Sequence, residues 1–270
     1  VGGDPVRAVV VHDEIESEIR AARNWIEADP RASAERDDNA LAVGGLASDH
    51  ERARTSVATA AHVFDRFRGS LDASGSQRPR FEAAREELRS RIRDRGGSLP
   101  AEDVDEPTSL VDRDVGETAG VRALASLGSE ARYRTDNVLE ADEGSLLASN
   151  ILAAADALVY VRAFASLRER IEDGDDVAVE SVEDVAALRS AAIDAVGEAQ
   201  AADRGELLVR AMLPGFANEI RWADGQFDRE SGSVSLDSVA FDAIDYVVAA
   251  ATCRAVAPVS ARVATALREA

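Results

Sequence analysis

A histidine beside a carboxylate can hold a metal ion and help it activate water, and this chain has such a pair near its start, His12-Asp13. His50 and His62, with Asp49 and Asp65 close by in sequence, offer a second set of nitrogen and oxygen ligands. The acidic run EDGDD, Glu172 to Asp176, offers oxygens to calcium, although the spacing of an EF-hand loop is absent. Asp156 and Asp242 stand at matching places in apolar runs. Burial there predicts a structural role for each, accepting bonds from an arginine or a helix start across the core. A shared acidic site in the middle of the bundle is the alternative. Cys253, the single cysteine, lies in the apolar run YVVAAATC and reads as a small core residue with no internal disulfide.

Two short motifs resemble those of known enzyme families. His12-Asp13 resembles the signature of the metal-dependent HD phosphohydrolases, a likeness that implies metals bridged by imidazole and carboxylate. That family also uses an upstream histidine and a downstream aspartate, and here no histidine precedes position 12. RDVGE, Arg113 to Glu117, resembles part of the second aspartate-rich motif of the squalene and phytoene synthases, all-helical enzymes that hold magnesium and diphosphate. The likeness covers five residues of 270, and the first aspartate-rich motif is missing upstream. There is no P-loop, no dinucleotide-binding glycine pattern, no nucleophile elbow and no cysteine pair. The sequence therefore assigns no catalytic residue, no cofactor and no metal ligand.

Composition narrows the setting. The 270 residues are 46% hydrophobic, enough for one large domain or two ordinary ones. Acids number 51 against 31 bases, for a net charge of -20, and every base is an arginine. A lysine-free acidic chain rich in Ala and Val points to a haloarchaeal-like protein working in molar salt, where the screening length falls to ~3 Å. Like-charge repulsion is then largely removed. Such a charge repels phosphate backbones and anionic lipid surfaces, so neither nucleic acid nor a membrane surface is an expected partner. The composition favours a high-salt cytoplasm. The start at Val1, with no initiator Met and no signal pattern, keeps a processed extracytoplasmic protein as the alternative.

The residues that could do chemistry must be placed by helices. Residues 145–170 form the longest nearly uncharged stretch: Leu147, Ile151, Ala154, Leu158, Val161 and Ala165 recur on one side, with Tyr160, Phe164, Leu167 and Ile171 beside them. The pattern predicts a buried central helix capped by Ser145. It predicts no membrane span, because a charge falls in every window of the ~20 residues that crossing requires.

Asp4-Pro5 should start a first helix, with Val11, Ile15, Ile19, Ala22 and Ile26 as its stripe. Ser48 and Glu51 suggest a second start after Gly44-Gly45, with Val57, Ala60, Phe64 and Phe67 buried. Phe81, Ala84, Leu88 and Ile92 mark an outer helix laced by Glu and Arg, ended by Gly96-Gly97. Two short helices are expected at 117–127 and 130–139. Ser181 and Asp184 cap a helix through Val185, Leu188, Ile193 and Val196. Pro214-Gly215 should kink or split the next one, and Pro258 should bend or break the last, whose face is Val239, Ala240, Ile244, Val247, Val248 and Ala251.

DALVYVRAFASLR from Asp156 and DAIDYVVAAATCR from Asp242 share several positions, and Val121-Arg122-Ala123 is echoed by Val209-Arg210-Ala211. An internal duplication is one reading of these matches. The expected architecture is all-α, a multi-helix bundle or helical-hairpin array. Its N-terminal helical region is 1–97, an acidic proline-containing linker or loop is 98–114, and a C-terminal bundle is 115–270. The expected function is a non-catalytic halophilic scaffold or binding module acting on an unknown protein partner or on itself. The alternative is an all-helical metal-dependent hydrolase or lyase, for which His12, Asp13, Asp156 and Asp242 come first.

Overall fold

The structure is a computed structural model that describes residues 4–27, 39–68, 77–100, 104, 106–141, 146–202, 207–229 and 236–270. Among the described residues it is all-α, a multi-helix bundle with eight α-helices and no strand. In chain order these are α1 (Pro5–Glu27), α2 (Asn39–Phe67), α3 (Gln77–Gly96), α4 (Ala119–Glu140), α5 (Leu147–Glu172), α6 (Val182–Ala202), α7 (Leu207–Arg229) and α8 (Leu236–Glu269). A single 3-10 turn, Pro107–Leu110, precedes α4.

The apolar stretch does become the centre. Helix α5 buries nearly its whole middle, from Ala154 to Phe164, against α4, α8, α3 and α1, while Ala165 faces solvent. Helix α8 is its counterpart, packed on α6, α7, α5 and α4. By length and composition both could cross a membrane. Here 61% and 67% of their most apolar windows are buried inside the protein.

Local chemistry explains several helix ends. Asp4 caps α1 through its side chain, accepting from the Val6 amide at 3.3 Å, and Pro5 takes the first position, where a missing N–H costs nothing. Ser181 and Asp184 cap each other: the Asp184 amide donates to Ser181 Oγ at 3.2 Å and the Ser181 amide to Asp184 Oδ2 at 2.8 Å. Helix α3 buries its expected stripe, Phe81, Ala84, Leu88 and Ile92, and is laced by Arg–Glu pairs as expected, Arg91–Glu87 and Arg93–Glu86 among them.

Other expectations are corrected. Helix α2 runs unbroken from Asn39, so Gly44-Gly45 and Ser48 lie inside it. Each glycine costs about 1 kcal/mol relative to alanine. Its inward residues are Ala53 and Ala60, whereas Val57 and Phe64 are exposed. On α1 the first turns are buried through Val6, Val9 and Val11, but Ile19 and Ile26 are exposed.

The two short helices at 117–127 and 130–139 are one helix, α4. Gly128 sits in its middle because Pro100 and Phe164 pack against it, not because the helix stops there. On α6 the small residues Ala192, Ala195 and Ala199 face inward and Ile193 outward. Helices α7 and α8 continue through Pro214 and Pro258. Ser145 lies outside the described residues, as do the side chains of Asp242, Val239 and Ala240.

Helix α2 has a distinct place. It packs along α1 and shares only incidental contacts with the rest. Among the described residues its buried ones, Ala53 and Ala60, lie outside the main core, which runs from Val6 to Leu267 through the other helices. Arg7 over the Phe67 ring at 4.9 Å and Arg52 over the Trp25 ring at 4.7 Å fix the hairpin antiparallel.

The segments that match in sequence lie on α4 and α5 and on α7 and α8. Val121 and Val209 are each the third residue of their helices and both are buried, as are Tyr160 and Tyr246. Tyr160 lies beneath the Arg134 guanidinium. Tyr246 donates to Asp224 at 2.7 Å, and that carboxylate also receives both ends of the Arg189 fork. This network joins α6, α7 and α8, and the Arg189 hydrogen bonds hold the Asp224 carboxyl below its usual range.

Candidate functional site

Residues from five helices converge around one arginine. Glu130, Tyr133, Arg134 and Asn137 follow one another at helical spacing on α4, and Ser149, Asn150, Ala153, Asp156 and Tyr160 do so on α5. The Arg134 guanidinium lies 4.5 Å from the Tyr160 ring centroid, donates through Nε to Glu130 at 2.7 Å, and stands 3.7 Å from Asp156. Asp156 is not fully buried as the sequence suggested: 37% of its side chain is exposed, because it opens onto pockets on both sides.

The first pocket, about 270 Å³, lies between α3, α4 and α5 and takes Arg85, Arg89, Asn137 and Asn150 as walls beside Arg134 and Asp156. The second, about 550 Å³, lies between α1, α5 and α7 and adds Asp13, Ser149, Tyr160, Phe216 and Glu219.

Burial pushes the Asp156 carboxyl up to about 6. Arg134 opposes the rise, and the charge of Asp13 adds to it. Burial followed by the charge of Glu130 raises Glu219 as well, and burial raises the Tyr160 phenol to about 12. A group that titrates near neutrality between two pockets could exchange a proton with a bound molecule.

An acid whose folded value exceeds its unfolded one stabilises the fold least once it is ionised, so its contribution is lost as pH rises from ~4 through ~6. Asp156→Asn is therefore expected to be the more stable form above pH 6 by ~1 kcal/mol, after discounting for the water that reaches the group. The two forms should converge below pH 4. Urea midpoints from pH 4 to 8 would show this, and a gap that stays constant with pH would refute it.

The beginning of α5 is held from outside. Leu146 takes a left-handed conformation at its N-cap, φ 42°, and supplies no side-chain cap. Glu16 of α1 accepts from the Ser149 amide at 3.1 Å, filling that role with a carboxylate on the positive end of the helix. Ser149 Oγ lies 2.8 Å from Asp13 and 3.0 Å from Glu16, and Arg20 donates to it at 3.3 Å.

Of the four residues singled out for an enzyme, Asp13 and Asp156 share the second pocket. His12 does not: it is half-buried against the edge of Phe81 and lines a different hollow with Glu16 and Arg78. The Asp242 side chain is outside the described residues. His50 and His62 are exposed on α2, and Asp49 and Asp65 are sixteen residues apart on that helix, about 24 Å. No group of three or more His, Cys, Asp or Glu suited to a metal occurs among the described residues.

Arg113 to Glu117 lies in a non-helical segment with Val115 half-buried and the other four exposed, so the motif is not set in a helix wall. The acidic turn is occupied structurally. Glu172 pairs with Arg168 and Asp175 with Arg170, while Asp176 accepts from Thr118 Oγ1 and the Val177 amide. Cys253 is buried, and that burial lifts its thiol to about 11, which makes it inert.

Sequence reasoning did not find Arg85, Arg89, Arg134 or Glu16. The available signal was faint: Arg85 and Arg89 flank the α3 stripe, one place beside Ala84 and Leu88, where a charge cannot point fully outward.

No curated protein and no solved structure matches the chain. Residues 1–74, which contain the α1–α2 hairpin, match a domain of unknown function (DUF8262). Residues 78–265, which contain the rest of the bundle and the whole lining of the first pocket, match another domain of unknown function (DUF8264), and the chain belongs to that family; the second pocket also takes residues of α1.

Proposed function

We propose that the protein is a non-catalytic helical module of a high-salt environment that pairs with a second copy of itself through the α1–α2 hairpin. One observation carries this reading: five of the ten large apolar residues exposed among the described residues, Ile19, Trp25, Ile26, Val57 and Phe64, lie on that hairpin. Ile19 and Ile26 are one heptad apart, as are Val57 and Phe64, so each pair lies on one face of its helix. The antiparallel register places Ile19 level with Val57.

A two-helix hairpin covers only one side of each helix. Two identical hairpins packed face to face make a four-helix bundle, which covers the other. The separate family match of residues 1–74 supports treating the hairpin as a module in its own right. A second copy also fits the charge. At -20 per chain, two copies repel in dilute buffer, and molar salt removes most of that repulsion.

The double variant Ile19→Glu with Val57→Glu is the test. Both side chains are exposed, so the monomer should keep its helix content and melting temperature in molar salt. The association constant should fall by 100-fold or more, since burying two charges in an apolar seam costs about 3 kcal/mol or more. Sedimentation at several concentrations checks this. An unchanged association constant would remove the hairpin from the interface.

A further inference from the structure

In a chain with 51 acids, the pocket between α3, α4 and α5 gathers three guanidiniums, Arg85, Arg89 and Arg134, and among the described residues one lining carboxylate, Asp156. Arg85 and Arg89 stand four residues apart on α3, a like-charge spacing that weakens a helix. Arg78, Arg91 and Arg93 of the same helix each pair with a glutamate of α3. Arg89 instead donates to the carbonyls of Leu139, at 2.5 Å, and Ala141, at 3.4 Å, at the end of α4. These bonds fix its guanidinium and leave its Nε buried without a hydrogen-bond acceptor. Arg134 is fixed by Glu130 and by the Tyr160 ring. Two amide side chains, Asn137 and Asn150, complete the polar lining.

We propose that this pocket binds the oxyanion group of a small organic molecule, a carboxylate or a phosphate, between Arg85, Arg89 and Arg134. Planar guanidinium forks match both anions in geometry, and a spherical chloride cannot accept from a fork in the same way. Fixing Arg89 and Arg134 beforehand lowers the ordering cost of binding. Asn137 and Asn150 supply both donors and acceptors for the ligand's other polar groups. Val138, Ala141 and Ala153 form an apolar wall, and the exposed ring of Tyr133 stands at the mouth. A pocket of about 270 Å³ suits a small metabolite rather than a nucleotide or a peptide. This site stands apart from the hairpin contact and would exist in a monomer.

Calorimetric titration of the full chain at constant high potassium chloride, with inorganic phosphate and with citrate as probes, tests the proposal. One of the two should bind above the chloride background. Phosphate alone would identify a phosphate ester as the ligand class, and citrate alone a carboxylic acid. Arg85→Gln should weaken the binding about tenfold or more, the loss of a charged hydrogen bond. Asp156→Asn should strengthen it, because an opposing charge in the lining is removed. Absence of binding by both probes at tens of millimolar, or equal affinity in wild type and Arg85→Gln, would overturn the proposal. Should Arg85→Gln fail to fold, Asp156→Asn decides, and unchanged or weaker binding by it would overturn the proposal equally.

Discussion

Valine at position 128 is expected to destabilise the protein by ~3 kcal/mol, the upper part of the range for overpacking a core. A β-carbon built on Gly128 would lie 2.6 Å from Pro100 Cγ and 3.1 Å from Phe164 Cε2. Neither neighbour can yield easily. Phe164 is buried in the middle of α5, and Arg132 holds the backbone at Pro100 and Leu99 with bonds of 3.1 and 2.9 Å. Alanine offers a finer reading, because its helix propensity returns about 1 kcal/mol relative to glycine. Gly128→Ala should therefore lose less than valine, with a net cost of ~1 kcal/mol. Urea unfolding of both variants would measure the series, and a valine variant as stable as the wild type would show that α4 does not approach Pro100 and α5 this closely.

Leu88→Ala should cost ~2–5 kcal/mol, the usual range for emptying a fully buried leucine site. Helix α3 is charged on its outer faces and buries Phe81, Ala84, Leu88 and Ile92 in the bundle, with Leu88 at the centre of that stripe. Its exposed ion pairs contribute little, about 0–1 kcal/mol each, and less in molar salt. The same helix carries Arg85 and Arg89, so loosening it should also weaken oxyanion binding. A loss below ~1 kcal/mol would mean that α3 is held by contacts other than this stripe.

How much of this could be read from sequence depended on whether a feature was local. The α3 stripe, the Ser181–Asp184 cap and the central place of α5 follow from spacing within one helix, and the structure has all three. Glycine misled at Gly44-Gly45, and the break expected between 127 and 130 is filled by Gly128 inside α4, because a glycine that ends a helix and one that admits a close neighbour look alike in one dimension. Val57, Phe64, Ile19 and Ile26 satisfy the periodicity of a buried face, yet periodicity only shows that residues share a face, not that something covers it. The Arg85, Arg89, Arg134 and Asp156 cluster joins three helices, and Glu16 caps α5 from more than a hundred residues away. Such meetings are set by packing and leave almost no pattern along the chain.

The pairing of two chains through the α1–α2 hairpin is tested most directly by light scattering of the wild-type protein in molar potassium chloride over a range of concentrations. The expected mass is twice the 28.6 kDa of one chain, falling towards 28.6 kDa as salt is lowered and repulsion between the acidic chains returns. A mass of 28.6 kDa at every concentration in molar salt would contradict it.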